Sequence, residues 1–254
     1  VIFAIPSYKR SHRQWTVEYL RKLGYSKKDI FVFTQTNEDY KAYKEAWGDK
    51  ATIIMKKAHN VASARNNILE YFQGEHLMII DDDIKRIHVL QIKDGKKKTL
   101  KVDDRETFDL ILSHGFQLMK KYNAVWWGIY STSNPYFLSY TVSVGYPFAS
   151  TFNGFHAIPS VRFDPNMPVK EDYELQIRLN LTGRPAIRLD FIYPETKYWA
   201  EGGCEDIRRQ GKENEAYAKL FQKYGRYLQK TKDPRFIRFK KNYPRYKEEV
   251  ELWL

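Results

Sequence analysis

The first 83 residues alternate between short apolar runs and stretches of helical spacing, and that alternation restricts the fold more than any other feature. Val1 to Ile5 is apolar and ends at Pro6-Ser7-Tyr8, which reads as a buried strand entering a loop. From Ser11 to Leu23, Trp15, Tyr19, Leu20 and Leu23 recur at helical spacing, and Gly24 stops the helix. Ile30 to Thr34 predicts a second strand, Glu38 to Trp47 a second helix and Ala51 to Met55 a third strand. Val61 to Phe72 predicts a third helix, with Asn60 or Ser63 as its cap, and Leu77 to Ile80 a fourth strand. A βαβαβαβ order implies a mostly parallel sheet with helices on its faces, an α/β fold of Rossmann-like type.

The second half is less regular. Arg105 to Tyr122 predicts a helix and Ala124 to Tyr130 a strand, in which Trp126 and Trp127 read as core or pocket wall. Asn134 to Pro159 holds strand-like pieces rich in aromatics, Ser, Gly and Pro; Glu171 to Leu181 is helical and Ala186 to Tyr193 a strand. From Asp206 to about Gln229 the pattern is helical, then irregular and basic. No repeat or linker interrupts the chain. The expected organisation is one α/β unit over residues 1–205, with halves 1–101 and 102–205, and a helical basic C-terminal extension over 206–254. Hydrophobic residues at 43% supply a full core and exclude a disordered chain. No run approaches 18 apolar residues, which excludes a membrane-spanning helix. The single cysteine, Cys204, excludes a disulfide framework and a Cys-based zinc site. With no signal peptide before the first strand, the expected location is cytoplasmic (host cytoplasm if phage-encoded), with no membrane and no obligate protein partner.

Four motifs carry chemistry. Asp81-Asp82-Asp83 follows a buried strand, at the sheet edge where open α/β folds bind ligands. Three adjacent acids repel one another, and a hard divalent cation such as Mn²⁺ or Mg²⁺ relieves that while bridging to phosphates. A solvated acidic turn has the same composition; the apolar strand before it favours the metal. Pro6-Ser7-Tyr8-Lys9-Arg10 lies after the first strand at the same edge, with a ring to stack on in Tyr8 and cations in Lys9 and Arg10. The helix start at Ala62-Ser63-Ala64-Arg65-Asn66 is small enough for close approach and favours a phosphate. Arg65 would pair with a diphosphate or with the aspartates, and Asn66 would bond a sugar or base. Lys170-Glu171-Asp172 opens a helix, where acids suit the dipole; the functional reading makes Glu171 or Asp172 a general base.

In this order the four motifs resemble the GT-A class of nucleotide-sugar glycosyltransferases over roughly residues 1 to 195. The resemblance implies that Pro6, Ser7, Tyr8, Arg10, Thr34, Arg65, Asn66, Asp81 and Asp82 hold the nucleotide sugar. It implies a metal on Asp81 and Asp83, and a base in Asp172 or Glu171. His156, in Phe152-Asn153-Gly154-Phe155-His156, is a candidate third metal ligand. That segment, Lys170-Glu171-Asp172 and Glu201-Gly202-Gly203 are together similar to the TET/JBP-associated glycosyltransferases. Those enzymes place a sugar on the hydroxyl of an oxidised pyrimidine in DNA. The implied donor is a UDP-sugar, UDP-glucose first, and the implied acceptor 5-hydroxymethyluracil or 5-hydroxymethylcytosine.

The charge map points to a polyanion independently. The chain has 43 Lys and Arg against 31 acids, a net +12. Asp206 to Lys247 holds 14 Lys or Arg against 4 acids, interleaved with aromatics, and includes Arg208 and Arg209. Lys85 to Lys101 holds 7 against Asp94, with Lys96, Lys97 and Lys98 in an expected loop. Basic groups neutralise phosphates and aromatic faces accept extruded bases. These residues are the candidate DNA contacts. A protein, glycan or envelope acceptor, a nucleotidyltransferase, and a non-catalytic nucleic-acid-binding module are the competing readings. The intact acids argue against the last.

Overall fold

The computed structural model describes residues 1–131, 134–149, 151–167, 169–196, 212–233 and 236–250. Its first part follows the alternation in the sequence: β1 (Ile2–Pro6), α1 (Trp15–Lys22), β2 (Ile30–Thr34), α2 (Asn37–Trp47), β3 (Thr52–Met55), α3 (Val61–Tyr71) and β4 (His76–Ile80). Strand β1 pairs in parallel with β2 and β4, and β2 in parallel with β3. Helix starts are fixed by side chains accepting from the first turn: Thr36 from the Asp39 amide, and Asn60 from the Ser63 amide in a reciprocal capping box.

Next come β5 (Ile84–Lys93), β6 (Lys96–Lys101), α4 (Arg105–Lys121), β7 (Trp126–Ile129), β8 (Thr141–Val144) and β9 (Phe152–His156). They are followed by α5 (Glu171–Leu181), β10 (Ala186–Leu189), β11 (Ile192–Thr196), α6 (Lys212–Tyr224), β12 (Leu228–Gln229), β13 (Arg238–Phe239) and β14 (Tyr246–Glu249). The main sheet has nine strands in the order β14-β8-β10-β7-β9-β4-β1-β2-β3. Only β9 and β8 run against the other seven. A smaller sheet, β11-β5-β6, and the pair β12-β13 complete the described strands.

Period-two alternation divides the core between the two faces of the sheet. Phe3, Ile5, Met78, Ile80 and Trp127 face α1 and α4, against Val17, Leu20, Phe108 and Ile111. Ala4, Leu77, Ile79 and Trp126 face α3 and α5, against Ile68, Leu69 and Leu175. The two tryptophans are therefore core, one on each side. Gly154 on β9 lies against Trp127: a methyl group there would sit 1.8 Å from the indole nitrogen.

Two stretches differ from expectation. The lysine-rich stretch around Lys96 to Lys98 is a hairpin, not a loop: Lys93 pairs with Lys96 across Asp94-Gly95, both at positive φ. Beyond Gln229, where irregular chain was expected, β14 joins the main sheet beside β8. Helix α6 and the segment after it pack on α5 through Ile177, Ala216, Leu220, Leu228 and Tyr243. Among the described residues, no helix is long and apolar enough to cross a membrane.

Candidate active site

Parallel β1 and β4 end at the same edge of the sheet, so the loop after β1 and the acids after β4 meet there. A cleft of about 500 Å³ opens at this edge. It is lined by Pro6 to Arg10, Gln35 and Thr36, the start of α3 with Arg65, Asp81 to Asp83, Thr151, and Lys170 to Asp172.

The three aspartates differ in surroundings. Asp82 is buried; it accepts from the Ser7 hydroxyl and from Arg10 Nη1 at 2.7 Å. Ser7 Oγ lies 2.7 Å from the Tyr43 hydroxyl, and Gln14 Nε2 donates to Ser7 Oγ at 2.9 Å. Ser7 therefore holds Asp82 in place, with Tyr43 and Gln14 behind it. Asp83 faces Arg10 Nη1 at 3.7 Å. Asp81 lies 3.4 Å from Arg65 Nη2, and its amide donates to the Thr151 carbonyl. The backbone between the acids is pinned from α1, where Thr16 Oγ1 donates to the Asp81 carbonyl at 2.5 Å and accepts from the Ile84 amide at 3.0 Å.

Withdrawal from water raises the Asp81 carboxyl to about 7; Arg65 opposes the rise, while Asp83 and Asp82 add to it. The same cause, followed by the charge of Asp82, raises Asp83 to about 6 against the pull of Arg10. Burial works against the charge on Arg10, yet Asp82 first and then Asp83 and Asp81 leave it raised. Asp81, Asp82, Asp83 and Glu171 share two arginines, Arg10 and Arg65. That fits a hard cation held by one or two carboxylates, with the remaining ligands from phosphate and water. Among the described residues, no three His, Cys, Asp or Glu side chains converge in metal-holding geometry; Asp81 and Asp83, which both line the cleft, are the candidate pair.

Arg65 is buried and reaches across the cleft, with Nη1 2.7 Å from Glu171 Oε1. Glu171 is buried in that pair, whereas Asp172 is only partly buried and accepts from the Tyr173 amide at 2.9 Å. Lys170, just before them, holds a left-handed backbone (φ 62°) and pairs with Glu213 of α6 at 2.8 Å. Lys9 is also left-handed, φ 55°, with its ammonium 5.0 Å from the centre of the Tyr8 ring. Two of the four left-handed non-glycine residues among the described ones therefore line this cleft, where strained backbone tends to gather.

Several expected site residues lie elsewhere. Strand β9 is antiparallel to β4, pairing His156 with His76 and Phe152 with Ile80. His156 is thus at the opposite edge, about 16 Å along the sheet from the acids at ~3.3 Å per residue. There it stacks on His76 at 4.5 Å and is no ligand to a metal on Asp81 and Asp83. Thr34 is buried with its hydroxyl donating to the Ile54 carbonyl; Gln35 and Thr36, just beyond it, line the cleft instead. Asn66 bonds both the amide and the carbonyl of Phe163, fastening α3 to that loop outside the cleft lining. Lys96 and Lys98 are exposed on β6, whereas Lys97 Nζ donates to the carbonyls of Tyr136 and Leu138. Arg208, Arg209 and Glu201-Gly202-Gly203 lie outside the described residues. Sequence reasoning missed Lys170 as a lining residue. A lysine that starts an acidic helix carries no signal of its left-handed backbone.

A parallel β1–β4 half with acids at its carboxyl edge, and a second acidic pair across the cleft, define a GT-A type glycosyltransferase fold. Residues 1–202 match the TET-Associated Glycosyltransferase family, and the chain belongs to it. Among solved structures, glucosyl-3-phosphoglycerate synthase from Mycobacterium tuberculosis, in complex with Mn²⁺, UDP and phosphoglyceric acid, superimposes with a TM-score of 0.55. Identity is 10%, covering 98% of this chain and 86% of that one. S. aureus TarS gives a TM-score of 0.50 at 12% identity over 87% of this chain; the chain spans 66% of that TarS fragment. At such identities the likeness is one of fold. No curated protein matches the sequence.

Proposed function

We propose that this chain transfers a sugar, glucose from UDP-glucose first, to the hydroxyl of a 5-hydroxymethylpyrimidine in DNA. One observation supports this above others: a single cleft unites the loop after β1, the start of α3, the acids after β4 and Asp172. Family membership supports the DNA acceptor. The solved M. tuberculosis and S. aureus relatives, crystallised with UDP, support the donor class.

In this reading Tyr8 offers its ring to the nucleotide base and Lys9 a cation to the phosphates. Asp81 and Asp83 would hold Mn²⁺ or Mg²⁺, which supplies charge neutralisation for the departing diphosphate. Arg10, fixed by Asp82, and Arg65, fixed by Glu171, stand beside that charge. Glu171 serves as a positioning residue. Asp172 takes the proton from the acceptor hydroxyl, whose oxygen forms the new bond to the anomeric carbon as the bond to UDP breaks. Lys96 and Lys98, with Arg208 and Arg209, are the proposed phosphate contacts, while Lys97 is engaged by the carbonyls of Tyr136 and Leu138.

The test is a transfer assay. DNA containing hydroxymethyluracil, hydroxymethylcytosine or neither is incubated with nucleotide sugars and Mn²⁺, digested, and its nucleosides weighed. Gain of one hexose on a hydroxymethylated nucleoside is expected. No gain on any DNA would move the acceptor to a protein or glycan.

A further inference from the structure

The smaller sheet stands at the edge that carries the cleft, since β5 leaves directly from Asp83. Strand β6 is its outer strand; Lys96, Lys98 and Lys101 are exposed on it, and Lys93 at the end of β5, with no acid paired to them among the described residues. The segment after β7, which runs in the same direction as β4, leaves the main sheet at that edge too. It forms a short 3-10 turn, Pro135–Phe137, bound to the hairpin by Lys97, whose Nζ donates to the carbonyls of Tyr136 at 3.2 Å and Leu138 at 2.6 Å. Asn134 accepts from the Tyr136 amide. The backbone is therefore held, yet the rings face water: Tyr136 is 77% and Phe137 55% exposed, 5.4 Å apart and nearly perpendicular. Ile92, paired with Lys97 across the hairpin, is 51% exposed.

Lysines on an outer strand also blunt edge-to-edge association. That purpose does not account for two rings and an isoleucine left in water beside them. We propose that Tyr136, Phe137 and the lysines of the β5–β6 hairpin form a docking platform for an unpaired nucleic-acid strand. On the acceptor reading above, on which this rests, the DNA is then presented single-stranded. A duplex keeps its base faces stacked inside and offers phosphates only. An unpaired strand offers phosphates to lysines and π-faces to rings, the pairing found where proteins hold single strands.

The experiment measures binding of fluorescent single-stranded and duplex oligonucleotides to the full chain, without donor, across a salt series. Wild type is expected to prefer the single strand. Tyr136→Ala with Phe137→Ala is expected to weaken single-strand binding about tenfold or more, with duplex binding little changed. Lys96→Ala with Lys98→Ala is expected to reduce the log–log salt slope by about 0.7 for each phosphate no longer neutralised. Tyr136→Phe, which keeps the ring, should retain affinity, and UDP binding by calorimetry confirms that each variant is folded. Equal affinity for the Tyr136→Ala/Phe137→Ala variant and wild type would overturn the proposal. So would duplex preference, failure of wild type to bind either nucleic acid, or dimerisation that the aromatic substitutions abolish. Single-strand binding that depends on the rings, without sugar transfer, would refute the acceptor reading and uphold the platform.

Discussion

Glu171 and Asp172 are adjacent in sequence, but their surroundings assign them different work, and replacing each by its amide separates the two. Glu171→Gln removes the charge facing Arg65 Nη1 at 2.7 Å, in a pair where both side chains are buried. Breaking a buried ion pair costs about 3–5 kcal/mol. Glutamine keeps the shape and an acceptor oxygen, and Arg65 retains Asp81 at 3.4 Å, so the expected loss is about 2–3 kcal/mol. For a chain of this size that lowers Tm by about 5–10 °C. Asp172→Asn changes a partly buried group and is expected to cost under about 1 kcal/mol. Its effect falls on turnover, by about 10²–10⁴-fold as for loss of a general base, with donor binding retained. Thermal melts, UDP calorimetry and single-turnover transfer on the same preparations give the comparison. An Asp172→Asn variant with near-normal turnover would refute the assignment, as would a Glu171→Gln variant that melts like wild type yet transfers nothing.

Three further outcomes follow from the geometry. Asp81 and Asp83 titrate near 7 and 6, above the ordinary carboxylate range. The folded chain therefore holds protons that the unfolded chain has released, and its ligand-free stability falls as pH rises from about 4 to about 7. A cation needs both carboxylates ionised, so Mn²⁺ should raise Tm at pH 8 and little at pH 5; equal shifts at both would place the ion elsewhere. His156→Ala should leave metal-dependent transfer within about twofold, because the ring lies at the far edge of the sheet; a large rise in the Mn²⁺ requirement would contradict that placement. Gly154→Ala should destabilise by at least about 1–3 kcal/mol in denaturant titration, since the new methyl meets a buried indole; an unchanged midpoint would show that Trp127 moves aside.

The parallel half was legible because β1, β2 and β4 are buried on both faces, which leaves short apolar runs, and its helices on one, which leaves a helical spacing. The β5–β6 hairpin was not: its tip is solvated, so lysines occupy both faces and the alternation disappears. Asp94-Gly95 was the one local sign of a turn joining two strands. The site was legible wherever a motif ended a parallel strand, as in Pro6 to Arg10 and Asp81 to Asp83. His156 was misplaced because strand direction is decided by pairing partners distant in sequence, and one antiparallel strand sends its last residue to the opposite edge. Thr34 and Asn66 show a second limit. A polar residue beside a binding loop is equally suited to satisfying backbone groups of its neighbours, and only packing decides.

Strand β14 pairs Tyr246 with Val144 and Glu249 with Thr141, so the edge of the main sheet is sealed by a segment about a hundred residues downstream. Lys247 reaches buried Asp190, Lys121 pairs with Glu248, and the Val250 amide donates to the Tyr140 carbonyl. During synthesis β8 must wait, its outer hydrogen-bonding groups open, until this segment emerges. Such distant pairing slows folding, because a long loop must close before any contact rewards it. Until closure, the bare edge invites a second chain. Premature termination shortly before Tyr246 would therefore yield a chain with its cleft residues complete and a marked tendency to aggregate, a failure of assembly rather than of chemistry.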